Sequence, residues 1–244
     1  EYQKRGFLWI KTLKYNGFGG ILADDMGLGK TVQVIAFLLS EYAEAGVHEN
    51  RKSLIVCPSS LVYNWKNELE KFAPSLPVKM IIGTTIERQS ILQTIEETDI
   101  LITSYDLLKR DIEHYENIIF HCQIIDEAQY IKNYNTQAAK SVKMIQADFK
   151  LALTGTPIEN RLSELWSIFD YLMPGFLYNY QRFKEELEIP IVSNQDEYAV
   201  KRLHKLISPF VLRRLKREVL TDLPDKLEEN VYAKLEWEQQ KLYD

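Results

Sequence analysis

Short, almost wholly aliphatic runs alternate with longer stretches of helical spacing from the start of the chain to about residue 173. The runs 20–23, 53–57, 78–82, 100–103, 122–125 and 150–153 read as strands. Several are continuously apolar rather than alternating, as strands covered on both faces are. Between them Leu61, Trp65, Leu69 and Phe72 recur at helical spacing, as do Leu162, Leu165, Trp166, Phe169 and Leu172. Trp65 falls on the face of Leu61 and Leu69, which reads as core rather than as a platform for a stacked base. Strand and helix in repetition imply right-handed crossovers and a mainly parallel sheet with helices on both faces. After Met173, Pro174 and Gly175 the pattern changes. Residues 176–221 carry aromatics, charges and helical spacings, with one brief strand-like stretch at 189–192, so a mostly helical addition is expected. A turn around Pro224 then leads into a mixed tail.

Composition narrows this only a little. With 244 residues, 45% hydrophobic and 27% charged, the chain sits in the ordinary globular range and is long enough for a substantial core. The apolar stretch 32–39 is far too short to cross a membrane, and the first residues lack a signal-peptide pattern. Cys57 and Cys122 are widely separated within apolar runs, so two reduced thiols are expected rather than a disulfide framework. His48, His114, His121 and His204 lack metal-ligand spacing, and no zinc site is implied. Thirty basic against 35 acidic residues give a net charge of −5, a weak argument against a protein that simply coats nucleic acid.

The chemistry begins where strand 20–23 runs into Asp24, Asp25, Met26, Gly27, Leu28, Gly29, Lys30 and Thr31, followed by an apolar helix. A phosphate-binding loop needs small residues so that backbone N–H groups can close around phosphate oxygens, then a helix N-terminus aimed at the charge. Gly27 and Gly29 provide that freedom. Lys30 can reach the β- and γ-phosphates, and the Thr31 hydroxyl can ligate Mg2+. The strict pattern has a further glycine where this chain has Asp24. A second element follows strand 122–125, which ends in Asp126, Glu127, Ala128 and Gln129. That places carboxylates at the carboxyl edge of the sheet beside the phosphate loop. Asp126 would hold Mg2+, and Glu127 would position or deprotonate the water that attacks the γ-phosphate. No Asn-Lys-x-Asp signature of a guanine-specific GTPase is present, and the protein-kinase set is missing as well.

Four further segments occur in order. They are Pro58-Ser-Ser-Leu-Val-Tyr-Asn-Trp65-Lys-Asn-Glu68, Ile102-Thr-Ser-Tyr-Asp106, Leu153-Thr-Gly-Thr-Pro-Ile-Glu-Asn160, and Pro209-Phe-Val-Leu-Arg-Arg-Leu-Lys-Arg-Glu-Val219. With the phosphate loop and the acidic box, they make the chain resemble the SWI/SNF-type, helicase-like DNA translocases over essentially its whole length. DEAD-box RNA helicases share the first and second motifs, but their Pro-Thr-Arg and Ser-Ala-Thr signatures are missing. Gln129, where many remodellers carry His, leans weakly toward bacterial members.

The resemblance implies a P-loop NTPase fold, a RecA-like lobe over 1–173. A helical protrusion over 174–222 and the start of a bridge to a second lobe over 223–244 would follow. It implies ATP and Mg2+ as cofactors. Gln3 would read adenine, with Asp25, Met26, Gly27, Leu28, Gly29, Lys30 and Thr31 around the phosphates and Thr31 and Asp126 on the metal. Lys30, Asp126 and Glu127 would carry hydrolysis, while Gln129, Thr154, Gly155 and Thr156 would couple nucleotide state to DNA. Ser59, Ser60, Asn64, Lys66, Thr103 and Ser104 become candidates for the backbone of double-stranded DNA, contacts that carry no base code. The basic residues between Lys201 and Arg217 are expected to brace the protrusion and the second lobe rather than to grip DNA. The partners implied are duplex DNA, the second RecA-like lobe and a DNA-bound protein complex to be displaced, with no membrane. The location would be cytoplasmic and nucleoid-associated in a bacterium, nuclear in a eukaryote. Arginine fingers belonging to the other lobe are worth on the order of 10³–10⁵ in rate, so this chain alone is expected to turn over ATP very slowly. The rivals are a strand-separating helicase, a restriction-type motor subunit, and a non-catalytic partner-binding module. Loop hydroxyls and amides can grip phosphates, so the net charge does not decide. It does imply weak DNA affinity for this chain alone, weaker still as salt rises.

Overall fold

In the computed structural model, which describes residues 1–44, 51–96, 99–155 and 161–219, each of the six aliphatic runs forms a strand. These are β1 (Gly20–Leu22), β2 (Ser53–Cys57), β3 (Val78–Met80), β4 (Ile100–Ser104), β5 (Ile119–Ile125) and β6 (Gln146–Leu153). A seventh, β7 (Val211–Leu212), completes the order β3-β4-β2-β5-β6-β1-β7, and every pairing is parallel. Every residue of β2 and β4 is buried, which is why those runs show no polar alternation.

The crossovers are helical: α1 (Tyr2–Tyr15) precedes β1, and α2 (Lys30–Glu44), α3 (Val62–Phe72), α4 (Thr85–Gln93), α5 (Tyr105–Asp111), α6 (Gln137–Met144) and α7 (Leu162–Leu172) follow. Their starts are chemically marked. Thr84 and Glu87 form a reciprocal capping box on α4, and Ser104 and Thr136 cap α5 and α6. On α3, Trp65 and Leu69 are buried and Leu61 packs beside them, whereas Phe72 at the helix end is 44% exposed. Phe37, Ile55, Phe120, Ile124, Leu151 and Phe169 are fully buried between sheet and helices. Each such side chain contributes roughly 1.5–3 kcal/mol by leaving water. Cys57 and Cys122 are buried free thiols.

The helical addition contains α8 (Tyr180–Phe183), a π-helical turn at Lys184–Glu188, α9 (Ile189–Val192) and α10 (Glu197–Ile207), with a short α11 (Lys216–Val219) after β7. The strand-like stretch 189–192 is therefore helical. Pro190 lies directly after the π-helical turn, so the N–H it lacks falls where the hydrogen-bond pattern of the preceding helix is already changed, and the chain stays helical through Val192. Phe183, Leu187, Leu203 and Phe210 join the same hydrophobic core as the sheet. Phe210 stands 5.2 Å from Phe18 and 5.0 Å from Phe176, ring centre to ring centre. Among the described residues no helix is long and apolar enough to cross a membrane.

Candidate nucleotide site and its neighbouring loops

The loop between β1 and α2 turns on two glycines, Gly27 at φ 88° and Gly29 at φ 75°, backbone that only glycine adopts without strain. Leu28 is fully buried and anchors the loop, while Met26 is 71% exposed on its outer side. The Gln3 amide donates to the Leu28 carbonyl at 3.3 Å. A Cβ on Gly29 would come within 2.5 Å of that amide nitrogen and displace it, so Gly29 serves the conformation and leaves room for Gln3. Thr31 is half-buried in the first turn of α2, beside Lys30. The Lys30 ammonium donates to the Asp24 carbonyl at 2.7 Å. Burial holds its pKa below the usual lysine value, although Asp126, Asp24, Glu127 and Asp25 all pull the other way.

Asp24, the residue that departs from the glycine pattern, is fully buried. Its carboxylate accepts from Arg214 Nε at 2.9 Å, from Arg214 Nη2, and from Gln33 Nε2 at 3.2 Å. Arg214 also donates to Gln33 Oε1 at 2.8 Å and to the Tyr2 carbonyl. One guanidinium thus joins the phosphate loop, α2 and α1. Backbone pairing reinforces it, since Asp25 N–H reaches the Arg214 carbonyl at 3.0 Å and Lys216 N–H reaches the Asp25 carboxylate at 3.0 Å. Arg214 therefore braces the lobe from inside. Asp25 is half-buried, and the Lys216 side chain lies over Gly27. Gln33, Arg214 and Lys216 were not among the expected site residues. Two signals in the sequence point to them: Asp24, a carboxylate where glycine belongs, and the basic segment that contains Arg214 and Lys216.

Strand β5 delivers Asp126 and Glu127 to the same edge. Asp126 Oδ1 accepts from the Glu127 N–H at 2.8 Å, Oδ2 from the Trp65 indole N–H at 2.9 Å, and its carbonyl from the Tyr105 hydroxyl at 2.7 Å. Burial raises the Asp126 pKa, and the bonds from Trp65 and Glu127 oppose that rise. Glu127 stands at φ 52°, an uncommon conformation for a residue with a Cβ and one that clusters at functional sites. Its carboxylate accepts from Gln129 Nε2 at 2.6 Å, and Gln129 Oε1 accepts from the Thr154 hydroxyl at 3.2 Å. Beyond Thr154, a Cβ on Gly155 would lie 3.6 Å from Lys30 Nζ. Gln129 therefore joins Glu127 to Thr154, and Gly155 lies near the Lys30 ammonium. Thr156 lies outside the described residues.

The expected DNA-backbone residues separate into two kinds. Ser59, Ser60 and Asn64 are exposed at the start of α3, with Lys66 half-buried and paired to Glu70 at 2.9 Å. Thr103 and Ser104 are buried, and their hydroxyls are used internally. Thr103 donates to the Ile81 carbonyl at 3.3 Å, and Ser104 accepts from the Leu107 N–H at 3.3 Å.

A phosphate loop, an acidic box and a parallel sheet ordered in this way define a P-loop nucleoside-triphosphate-binding lobe of RecA-like type. The sequence model of the SNF2-related domain matches residues 2–244, and the chain belongs to that family. An uncharacterized ATP-dependent helicase of Mycoplasma genitalium is 45% identical over 244 residues, covering 100% of this chain and 23% of that protein. The TATA-binding protein-associated factor MOT1 of Saccharomyces cerevisiae is 39% identical over 263 residues, again covering 100% of this chain but 14% of its own length. Among solved structures, the Sulfolobus solfataricus SWI2/SNF2 ATPase core in complex with double-stranded DNA superposes with a TM-score of 0.82 at 43% identity. That match covers 99% of this chain and 50% of the other. The chain thus spans about a quarter or less of the curated relatives it matches.

Proposed function

We propose that this lobe binds and hydrolyses ATP as part of a motor that tracks double-stranded DNA and remodels or displaces proteins bound to it. The observation that carries the reading is the convergence of Gln3, Lys30, Asp126, Glu127, Gln129 and Thr154 on one sheet edge, within a chain of the SNF2-related family. Duplex DNA in the solved relative supports the choice of track.

The donor set suits Mg2+, because the Thr31 hydroxyl and the Asp126 carboxylate are hard oxygen ligands. No cluster of three or more His, Cys, Asp or Glu residues able to cage a metal exists among the described residues. Water and substrate phosphates would therefore complete the coordination. When bound there, Mg2+ supplies charge neutralisation on the phosphates. Lys30 exchanges the Asp24 carbonyl for a phosphate oxygen, a swap helped by the loss of water it has already undergone. Gly27 and Gly29 leave the loop amides free to close on the anion, and Asp25, Met26 and Leu28 shape that loop. Gln3 presents its amide to the N6 and N7 of adenine. Glu127, held by Gln129, orients the attacking water and takes its proton. Gln129, Thr154, Gly155 and Thr156 carry the change toward the DNA side. The backbone of the duplex lies against Ser59, Ser60, Asn64 and Lys66, with Thr103 and Ser104 shaping the adjoining loop from within. A second RecA-like lobe closes the cleft, reached through 223–244.

The test uses the full-length protein with duplex and single-stranded DNA. Duplex-stimulated ATPase without strand separation is expected. Strand displacement would favour a helicase, and no turnover with any DNA would favour a non-catalytic binding module.

A further inference from the structure

Two buried aromatic side chains from different segments end on the same acidic residue. Trp65 is 1% exposed and Tyr105 3%, yet the polar atoms of both are directed at one residue. The Trp65 N–H meets the Asp126 carboxylate and the Tyr105 O–H meets the Asp126 carbonyl, at 2.9 and 2.7 Å. Each aromatic follows directly on a candidate DNA-facing segment. Trp65 lies in the first turn of α3, after the short helix Ser59–Leu61 and next to Asn64 and Lys66. Tyr105 is the first residue of α5, set by the Ser104 cap. Its ring stacks on Tyr130 at 4.9 Å and 5°, and Tyr130 neighbours Gln129.

We infer that Trp65 and Tyr105 are positioning residues that tie occupancy of the exposed 59–66 segment, and the packing of the buried 103–105 turn paired beside it, to the placement of Asp126. The inference rests on the ATPase reading above and names part of its wiring. Interiors packed at crystal-like density transmit small displacements rather than absorbing them. A shift of α3 against a DNA backbone therefore moves the indole N–H, and with it the carboxylate, through a single hydrogen bond. A shift at 103–106 moves the backbone of the same residue through the tyrosine hydroxyl. This path enters the acidic box at Asp126, whereas the one through Gln129 and Thr154 enters at Glu127. Coupling of this kind is reciprocal: if DNA biases Asp126, nucleotide must change DNA affinity by the same factor.

The experiment measures duplex affinity of the full-length protein with and without Mg2+ and a non-hydrolysable ATP analogue, then repeats it for Trp65→Phe and Tyr105→Phe. In the parent, nucleotide is expected to change the duplex Kd by about fivefold or more. In each variant that change falls to about twofold or less, and duplex-stimulated kcat drops roughly 10- to 100-fold, the usual range for a group orienting a metal ligand. Tyr105→Phe removes one hydroxyl and keeps the ring, so it decides the matter if Trp65→Phe unfolds. Variants that keep the parent's nucleotide-dependent Kd and its stimulation overturn the coupling while leaving the translocase reading intact. A parent with no duplex-stimulated turnover overturns both.

Discussion

Two charged clusters close off opposite ends of the sheet, and they are built differently. At the carboxyl end, the buried Asp24 is held by the forked guanidinium of Arg214, 190 residues away in sequence. At the amino end, Glu41 near the close of α2 is held by three nitrogens from α1 and β5. They are Lys11 at 2.9 Å, Lys14 at 2.6 Å and His121 at 2.8 Å. Arginine cannot lose its proton and fixes a planar geometry, whereas lysine and histidine are flexible or titratable. The rigid pairing stands behind the glycine loop proposed to present its amides to phosphate. The adaptable one stands where only three elements need to be kept together. Position at the sheet edge, more than charge, separates working residues from supporting ones.

The largest effect that would break this division comes from Lys30. Replacement by Ala removes the ammonium from the phosphate site and is expected to lower kcat of the full-length protein by on the order of 10²–10³. Thermal stability should change little, since the Lys30 bond is to a single carbonyl. A variant that hydrolyses ATP normally would mean that the carboxyl edge is not the working end.

Arg214→Ala comes next. It leaves the Asp24 carboxylate buried with only Gln33 as a donor. Breaking one side of such a pair costs about 3–5 kcal/mol. Urea unfolding of the isolated lobe reads the loss, and Arg214→Lys should recover only part of it because an ammonium cannot span Asp24, Gln33 and the Tyr2 carbonyl together. Full recovery by lysine would make the two clusters equivalent and remove the contrast.

Much of this is legible in the sequence, and the physics explains which parts. Six strands can be read because each has a short apolar run, and those of β1, β2 and β4 are buried along their whole length. The phosphate loop and acidic box can be read because their chemistry depends on neighbours in sequence. Strand β7 cannot, since two residues, Val211 and Leu212, carry no period and exist only by pairing with β1. The helix at 189–192 passes for a strand because four apolar residues fit either element, and the preceding helix decides. Trp65 reads as core and is core, but no local pattern shows that its N–H ends on Asp126, 61 residues on. Of the basic segment, Arg214 braces within this lobe, and its partners Asp24, Gln33 and Tyr2 emerge only from the fold. Thr103 and Ser104 look like surface hydroxyls because they end a strand. The strand instead carries them into the interior.

Glu41 gives a smaller effect, with pH as the probe. Its carboxyl is held down to about 2 by His121, Lys14 and Lys11, against the burial that would raise it. The unfolded chain thus binds more protons than the folded one below the ordinary carboxylate range, so stability rises with pH there. The contribution is fully present above about pH 4.5 and is lost as pH falls toward 2. A tenfold change in proton affinity corresponds to roughly 1.4 kcal/mol. Discounted for solvent screening at the partly exposed lysines, the Glu41 cluster contributes about 2–3 kcal/mol. Glu41→Gln should flatten the unfolding free energy between about pH 5 and 2 while leaving ATP turnover per folded molecule unchanged. A changed turnover would extend function to the amino end.

The finest distinction compares two lysines that each pair with glutamate, Lys66 with Glu70 at the carboxyl end and Lys11 with Glu41 and Glu44 at the other. The Lys66 pair is a solvent-accessible i,i+4 contact between a half-buried lysine and an exposed glutamate, worth about 0.3–0.5 kcal/mol, so Lys66→Ala should barely alter stability. If Lys66 meets a DNA phosphate, the same change lowers the slope of log affinity against log salt by about one. Lys11→Ala should do the reverse, costing stability while leaving that slope alone. The two measurements separate supporting charge from binding charge on residues of one type, which neither net charge nor pairing distance can do.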